Sequence, residues 1–109
     1  MSGLLSICVP TYNRATDLAA LLQCLEREIA GRRDVVVLIA DNASTDATPG
    51  LLRAAARRNP WLRVHRQPEN LGAVGNLAWL AANAPDCEYL WLFGDDDLIV
   101  EGGLATVVE

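Results

Sequence analysis

Lysine is missing from this chain: all nine basic residues are arginines. Against 14 acidic residues they leave a formal net charge of −5. A nucleic-acid surface needs a clustered basic face, so nucleic acid is not an expected partner. Long apolar runs are missing too. None approaches the roughly 20 residues that cross a bilayer, and no basic stretch followed by an apolar one opens the sequence. The expected location is the cytoplasm, with a position at the inner face of the membrane left open. The cysteines, Cys8, Cys24 and Cys87, show neither Cys-x-x-Cys nor Cys-x-x-x-His spacing. Three is an odd number and each lies in an apolar context, so the expectation is buried reduced thiols rather than a disulfide or a zinc site. Internal repeats and low-complexity segments are also lacking.

What is present is a globular composition. The chain has 109 residues, 51% hydrophobic and 21% charged, enough for one core and one domain over 1–109. The stretch "LLSICVP" (4–10) is short, apolar and closed by Pro10, as a buried strand would be. "TDLAALLQCLEREIAG" (16–31) puts Leu18, Leu21, Leu22, Leu25 and Ile29 at helical spacing, with Gly31 beyond the end. "DVVVLIAD" (34–41) is β-branched without alternation, the pattern of a parallel strand covered on both faces. Thr48-Pro49 reads as an N-cap and first helical residue, opening a helix to about Arg58. A weaker strand follows at 61–66. A helix over 72–84 is expected to turn Val74, Leu77, Ala78 and Ala81 inward. A strand over 88–93 and the start of a last helix at 101–109 complete the chain. The order βαβαβαβα predicts an α/β fold, a Rossmann-like and mostly parallel sheet with alternating helices.

In such a sheet, ligands bind beyond the carboxyl ends of the strands. The first strand is followed by Thr11, Tyr12, Asn13 and Arg14, and the second by Asp41, Asn42, Ala43, Ser44, Thr45 and Asp46. The third leads to Gln67, Pro68, Glu69, Asn70, Leu71 and Gly72; the fourth leads to Gly94, Asp95, Asp96 and Asp97. Three adjacent carboxylates repel one another, and a hard divalent cation, Mg²⁺ or Mn²⁺, is the natural counter-charge. A solvated acidic turn accounts for the same three residues. Gly94 would let a phosphate or ribose approach the backbone. Tyr12 could stack on a flat ring or simply lie on a turn. Asp41 could accept from a base N–H or only close an Asx turn. His65 reads as structural, and Trp61, Trp79 and Trp91 as packing residues. Arg57, Arg58, Arg63 and Arg66 read as a solvated face, with an anionic lipid or partner as the sharper alternative.

Taken together, four segments resemble the family-2 glycosyltransferases of the GT-A fold. "SICVPTYNR" is similar to the family's first strand with its Pro-x-Tyr-Asn signature, and "IADNASTDAT" to its Asp-Asn-x-Ser-x-Asp segment. "ENLGAVGN" resembles its Asn-x-Gly helix start, and "EYLWLFGDDD" its acidic metal motif. Each is weak alone; four in order, each at a strand end, are specific. The resemblance implies a nucleotide-binding half of a transferase that uses a nucleotide-diphosphate sugar of the UDP or dTDP type. The acceptor would be a saccharide or a lipid-linked glycan. It implies nucleotide contacts from Pro10, Thr11, Tyr12, Asn13, Asp41, Asn70, Gly72 and Asp95, with Tyr12 against the base, Asp41 accepting from the base ring and Asp95 facing the ribose. It implies a Mn²⁺ or Mg²⁺ ion on Asp96, or on Asp95 and Asp97 if the motif is taken literally as Asp-x-Asp.

The chain departs from the pattern in two ways. Many members carry Ala-Arg-Asn at the start of the third helix, with the Arg reaching the base; here Gly75 precedes Asn76. The family's acceptor half and its carboxylate general base also lie beyond the metal motif, so the general base is expected beyond Glu109 and no catalytic residue is assigned. A chain holding the donor side alone is expected to expose apolar surface and to self-associate. The rival α/β enzymes fit less well. A nucleotidyltransferase needs a Gly-rich loop where "PTYNRA" stands, and a dinucleotide-binding domain needs Gly-x-Gly-x-x-Gly. A non-catalytic nucleotide-binding or docking domain remains open.

Overall fold

The computed structural model describes residues 3–95 and Gly103. Asp96, Asp97 and the helix expected at 101–109, apart from Gly103, lie outside the described residues. Four strands and three helices alternate: β1 (Gly3–Thr11), α1 (Ala15–Ile29), β2 (Val35–Asp41), α2 (Thr48–Arg58), β3 (Leu62–Arg66), α3 (Gly72–Asn83) and β4 (Cys87–Leu92). The sheet order is β3-β2-β1-β4 and every neighbouring pair is parallel. Chain order thus runs outward from β1 through β2 to β3, then jumps back to place β4 on the other side of β1. The reversal puts a topological switch point at the carboxyl ends of β1 and β4.

Helices cover both faces of the sheet. Leu18, Leu21, Leu22, Leu25 and Ile29 of α1 are all buried, as their spacing requires. With Leu52 and Ala55 of α2 they pack on Ile7, Val9, Val37 and Ile39. Burying Leu21 completely means that truncating it to Ala would cost about 2–5 kcal/mol. The opposite face is thinner: Cys8, Leu38, Ala40 and Leu80 form it, with Trp79 against them. Here the structure corrects the sequence reading. Val74, Leu77, Ala78 and Ala81 of α3 are exposed, and the helix instead buries Asn76 and Leu80.

Two smaller corrections follow. Thr48 is not the cap of α2 but its first residue, preceded by Ala47, and Asp46 Oδ1 accepts the Thr48 N–H at 2.9 Å in place of a cap. All three cysteines are free, but only Cys8 is buried; Cys24 and Cys87 are half-exposed. Burial pushes the Cys8 thiol up from its ordinary value. His65 is structural, stacked on Trp79 with ring centroids 3.9 Å apart and 3.2 Å from Gln67 Oε1.

Candidate nucleotide site

Four strand ends meet at one edge of the sheet, and side-chain hydrogen bonds tie them together. At the switch point, Thr11 Oγ1 donates to Asp95 Oδ2 at 2.9 Å, joining the end of β1 to the loop after β4. Arg14 Nε lies 3.7 Å from Asp95 Oδ1. Asp95 is 9% exposed. Its oxygens are of the type a hard cation takes, yet both face donors from β1 and its loop. Among the described residues no three His, Cys, Asp or Glu side chains gather into a metal-binding group. The other two acids of the triple lie outside those residues.

The loops after β1 and β2 are stitched to each other. Asn13 adopts the left-handed backbone region (φ 50°). There its N–H donates to Ser44 Oγ at 2.9 Å, while its Oδ1 accepts the Thr45 N–H at 2.8 Å. Asn tolerates this backbone better than most residues, which gives the Tyr-Asn pair a physical role. Asp46 closes the same junction. Thr48, whose N–H donates to its Oδ1, and then the Ala15 N–H hold its carboxyl below the usual range.

Asp41 is almost fully buried, at 1% exposure. Its Oδ1 accepts the Ser44 N–H at 3.0 Å, three residues on rather than the two of an Asx turn. Its Oδ2 is bonded to Arg66 Nη1 at 2.9 Å, and Arg66 Nη2 reaches Ser44 O at 3.0 Å. The pairing follows from register, since Asp41 and Arg66 are Cα partners across β2 and β3. Asn42, 3% exposed, organises the next loop. It donates to Asn70 Oδ1 (3.0 Å) and Gly72 O (3.2 Å), and accepts the Leu71 N–H (2.8 Å). Gly72 then opens α3 at φ 77°, a backbone state open to glycine at no steric cost. Asn76 donates to Ala40 O at 2.9 Å and accepts from Gln67 Nε2 at 3.2 Å, anchoring α3 on the sheet.

Above these bonds lies a cavity of about 390 Å³. Pro10, Thr11, Tyr12, Arg14, Asn42, Ala73, Asn76, Leu77 and Asp95 line it. Tyr12 is 43% exposed there, with its ring available to a ligand. Of the residues singled out from the sequence, Pro10, Thr11, Tyr12 and Asp95 are brought together in this one cavity. Asn13 lines a neighbouring hollow of about 460 Å³ with Asp46, and Asp41 lines another on the α2 side. Asn70 and Gly72 shape the loop held by Asn42. Sequence reasoning gave no site role to Arg14, Asn42 or Asn76, and read Arg66 as part of a solvated face rather than as the partner of Asp41. For Asn42 and Asn76 a signal existed: an amide amid apolar or small residues at a strand end or helix start needs buried partners.

A model of glycosyl transferase family 2 matches residues 6–109. The chain belongs to that family. It is 32% identical over 105 residues to abequosyltransferase RfbV of Salmonella typhimurium, covering 95% of this chain and 31% of that protein. It is 38% identical over 104 residues to an N-acetylglucosaminyl-diphospho-decaprenol L-rhamnosyltransferase of Mycobacterium tuberculosis, covering 92% of this chain and 32% of that one. It therefore spans about a third of the length of these curated relatives. Among solved structures, S. aureus TarS residues 1–349 superpose with a TM-score of 0.83 at 25% identity, over 95% of this chain and 31% of that chain. The mannosyltransferase PcManGT of Pyrobaculum calidifontis, in complex with GDP-Man and Mn²⁺, superposes with a TM-score of 0.78 at 28% identity, over 99% of this chain and 32% of that one. The parallel sheet and its helices are the GT-A arrangement.

Proposed function

We propose that this family-2 chain is the donor-binding part of a glycosyltransferase that moves a sugar from a nucleoside diphosphate to a saccharide or lipid-linked acceptor. The observation that carries the reading is the cavity at the switch point, where an exposed ring (Tyr12) stands beside the Thr11–Asp95 bond. A planar ring stacks on a base, and polar groups at strand ends take the ribose and diphosphate. Structures of TarS with UDP-GlcNAc and of PcManGT with GDP-Man support a nucleotide-sugar donor. The relative acting on a decaprenol diphosphate supports a lipid-linked acceptor. The cytoplasm, at the inner face of a membrane, suits both.

In this reading Tyr12 faces the base. Asp41, held rigid by Ser44 and Arg66, offers its remaining lone pairs to a base N–H. Thr11 and Arg14 fix the rotamer of Asp95, which faces the ribose. Mn²⁺ or Mg²⁺ would be held by Asp96, with Asp95 or Asp97 beside it, and would offset charge developing on the departing diphosphate. No residue of this chain is assigned to take the acceptor proton. Titrating UDP, dTDP and GDP calorimetrically in the presence of Mn²⁺ tests the reading. Tyr12→Ala should weaken a preferred nucleotide about tenfold or more, as loss of base–aromatic stacking does. Equal affinity in the variant would remove Tyr12 from the site.

A further inference from the structure

Five of the chain's nine arginines lie on α2 and β3, at the sheet edge opposite β4, with Arg63 on the sheet face of Leu38 and Arg53, Arg57 and Arg66 on the other. Arg53, Arg57 and Arg58 come from α2 and Arg63 and Arg66 from β3, and all are exposed. Two are engaged locally. Arg58 binds Glu26 at 3.0 Å and Arg66 binds Asp41 at 2.9 Å. Arg53, Arg57 and Arg63 form no ion pair or hydrogen bond with any described residue. Arg53 and Arg57 stand four residues apart on one helix, where like charges repel. With Arg66 they rim a cavity of about 360 Å³ whose wall includes Pro49, Leu52 and Val64. The acid in that cavity, Asp41, is buried and already neutralised by Arg66.

We propose that the β3–α2 edge docks the chain on an anionic bilayer surface, with Arg53, Arg57 and Arg63 on lipid phosphates. Guanidinium groups match phosphate oxygens two at a time. The arginine stems and Val64, 37% exposed, offer apolar surface to the region just below the headgroups. That apolar wall would serve no purpose against a nucleic-acid backbone. Strand order keeps β2 and β1 between this edge and the Thr11–Asp95 switch point, so docking leaves the cavity beside Tyr12 open. The proposal goes beyond donor binding, with which it shares Asp41, at the wall of the arginine-rimmed cavity.

Flotation of the 109-residue chain with vesicles of phosphatidylglycerol and phosphatidylcholine, against phosphatidylcholine alone, tests it. The chain should bind the anionic vesicles only, and binding should fall as salt rises. Each surface arginine contributes about a fivefold factor, so the triple variant Arg53→Gln/Arg57→Gln/Arg63→Gln should lose about a hundredfold. Arg32→Gln/Arg33→Gln, elsewhere on the molecule, should change binding little. Circular dichroism and nucleoside diphosphate binding, both unchanged in the triple variant, separate lost docking from lost folding. Equal binding to neutral vesicles, or wild-type binding by the triple variant, would overturn the proposal. So would release by a few millimolar inorganic phosphate at matched ionic strength, which would make the edge a site for the free anion.

Discussion

The hydrogen bond from Thr11 to Asp95 joins residues 84 apart in the chain, and it forms because strand order makes β1 and β4 neighbours. Small side chains thereby do work that no single motif reveals. Replacing Thr11 by Val keeps its shape but removes the donor. We expect a stability loss of about 1–3 kcal/mol, read from denaturant midpoints, and at least a tenfold loss of nucleoside diphosphate affinity. Thr11→Ser should recover most of both. Arg66 sits at the same scale. Arg66→Met strands a carboxylate at 1% exposure, and breaking such a pair typically costs about 3–5 kcal/mol. The exposed guanidinium of Arg66 puts this case at the lower end. Thermal unfolding checks it, with Asp41→Asn/Arg66→Met expected to recover part of the loss.

Among the elements, α1 was legible and α3 was not. In α1 the leucines fall on one side and Gln23, Glu26 and Arg27 on the other, so periodicity alone selects the buried face. In α3, Val74, Leu77, Ala78 and Ala81 also fall at helical spacing, so periodicity selects their face, yet the structure exposes it. The face is chosen instead by Asn76, whose amide finds Ala40 O and Gln67 beneath the helix. A buried polar anchor overrode an apolar stripe. Asn76→Leu should therefore destabilise by about 1–3 kcal/mol despite being more apolar, because the Ala40 carbonyl and Gln67 amide lose their partner. Likewise, the strand ends offered the candidate residues by type, while their hydrogen-bond partners depended on register and strand order. The α1–α2 contact makes a pH prediction. Glu26 is held below its ordinary value first by the Asn59 amide and then by Arg58. A folded value lower than the unfolded one means this stabilisation is present above about 4.5 and lost as pH falls through the folded value. Glu26→Gln should flatten that part of the stability–pH curve; an unchanged curve would show that the contact does not form.

At the scale of the whole molecule, the β4 flank exposes apolar side chains, and among the described residues no strand pairs with its outer edge. Val74 is 81% exposed and Tyr89 66%, and Leu90 and Leu92 stand out from one face of the edge strand with Tyr89 on the other. An open strand edge beside apolar side chains invites pairing with another chain. Sedimentation velocity over a concentration series should show dimers or larger species, and Leu90→Lys/Leu92→Lys should return the chain to monomer. A monomer at every concentration would show that this flank is inert.

The central claim is that the cavity between the ends of β1 and β4 takes a nucleoside diphosphate with a divalent cation. Its most direct test is a calorimetric titration of UDP, with and without Mn²⁺, into wild type, Tyr12→Ala and Asp96→Ala. The account predicts saturable binding that Mn²⁺ strengthens in wild type, weaker binding with either substitution, and loss of the Mn²⁺ effect in Asp96→Ala. Binding that ignores both substitutions and the metal would contradict it.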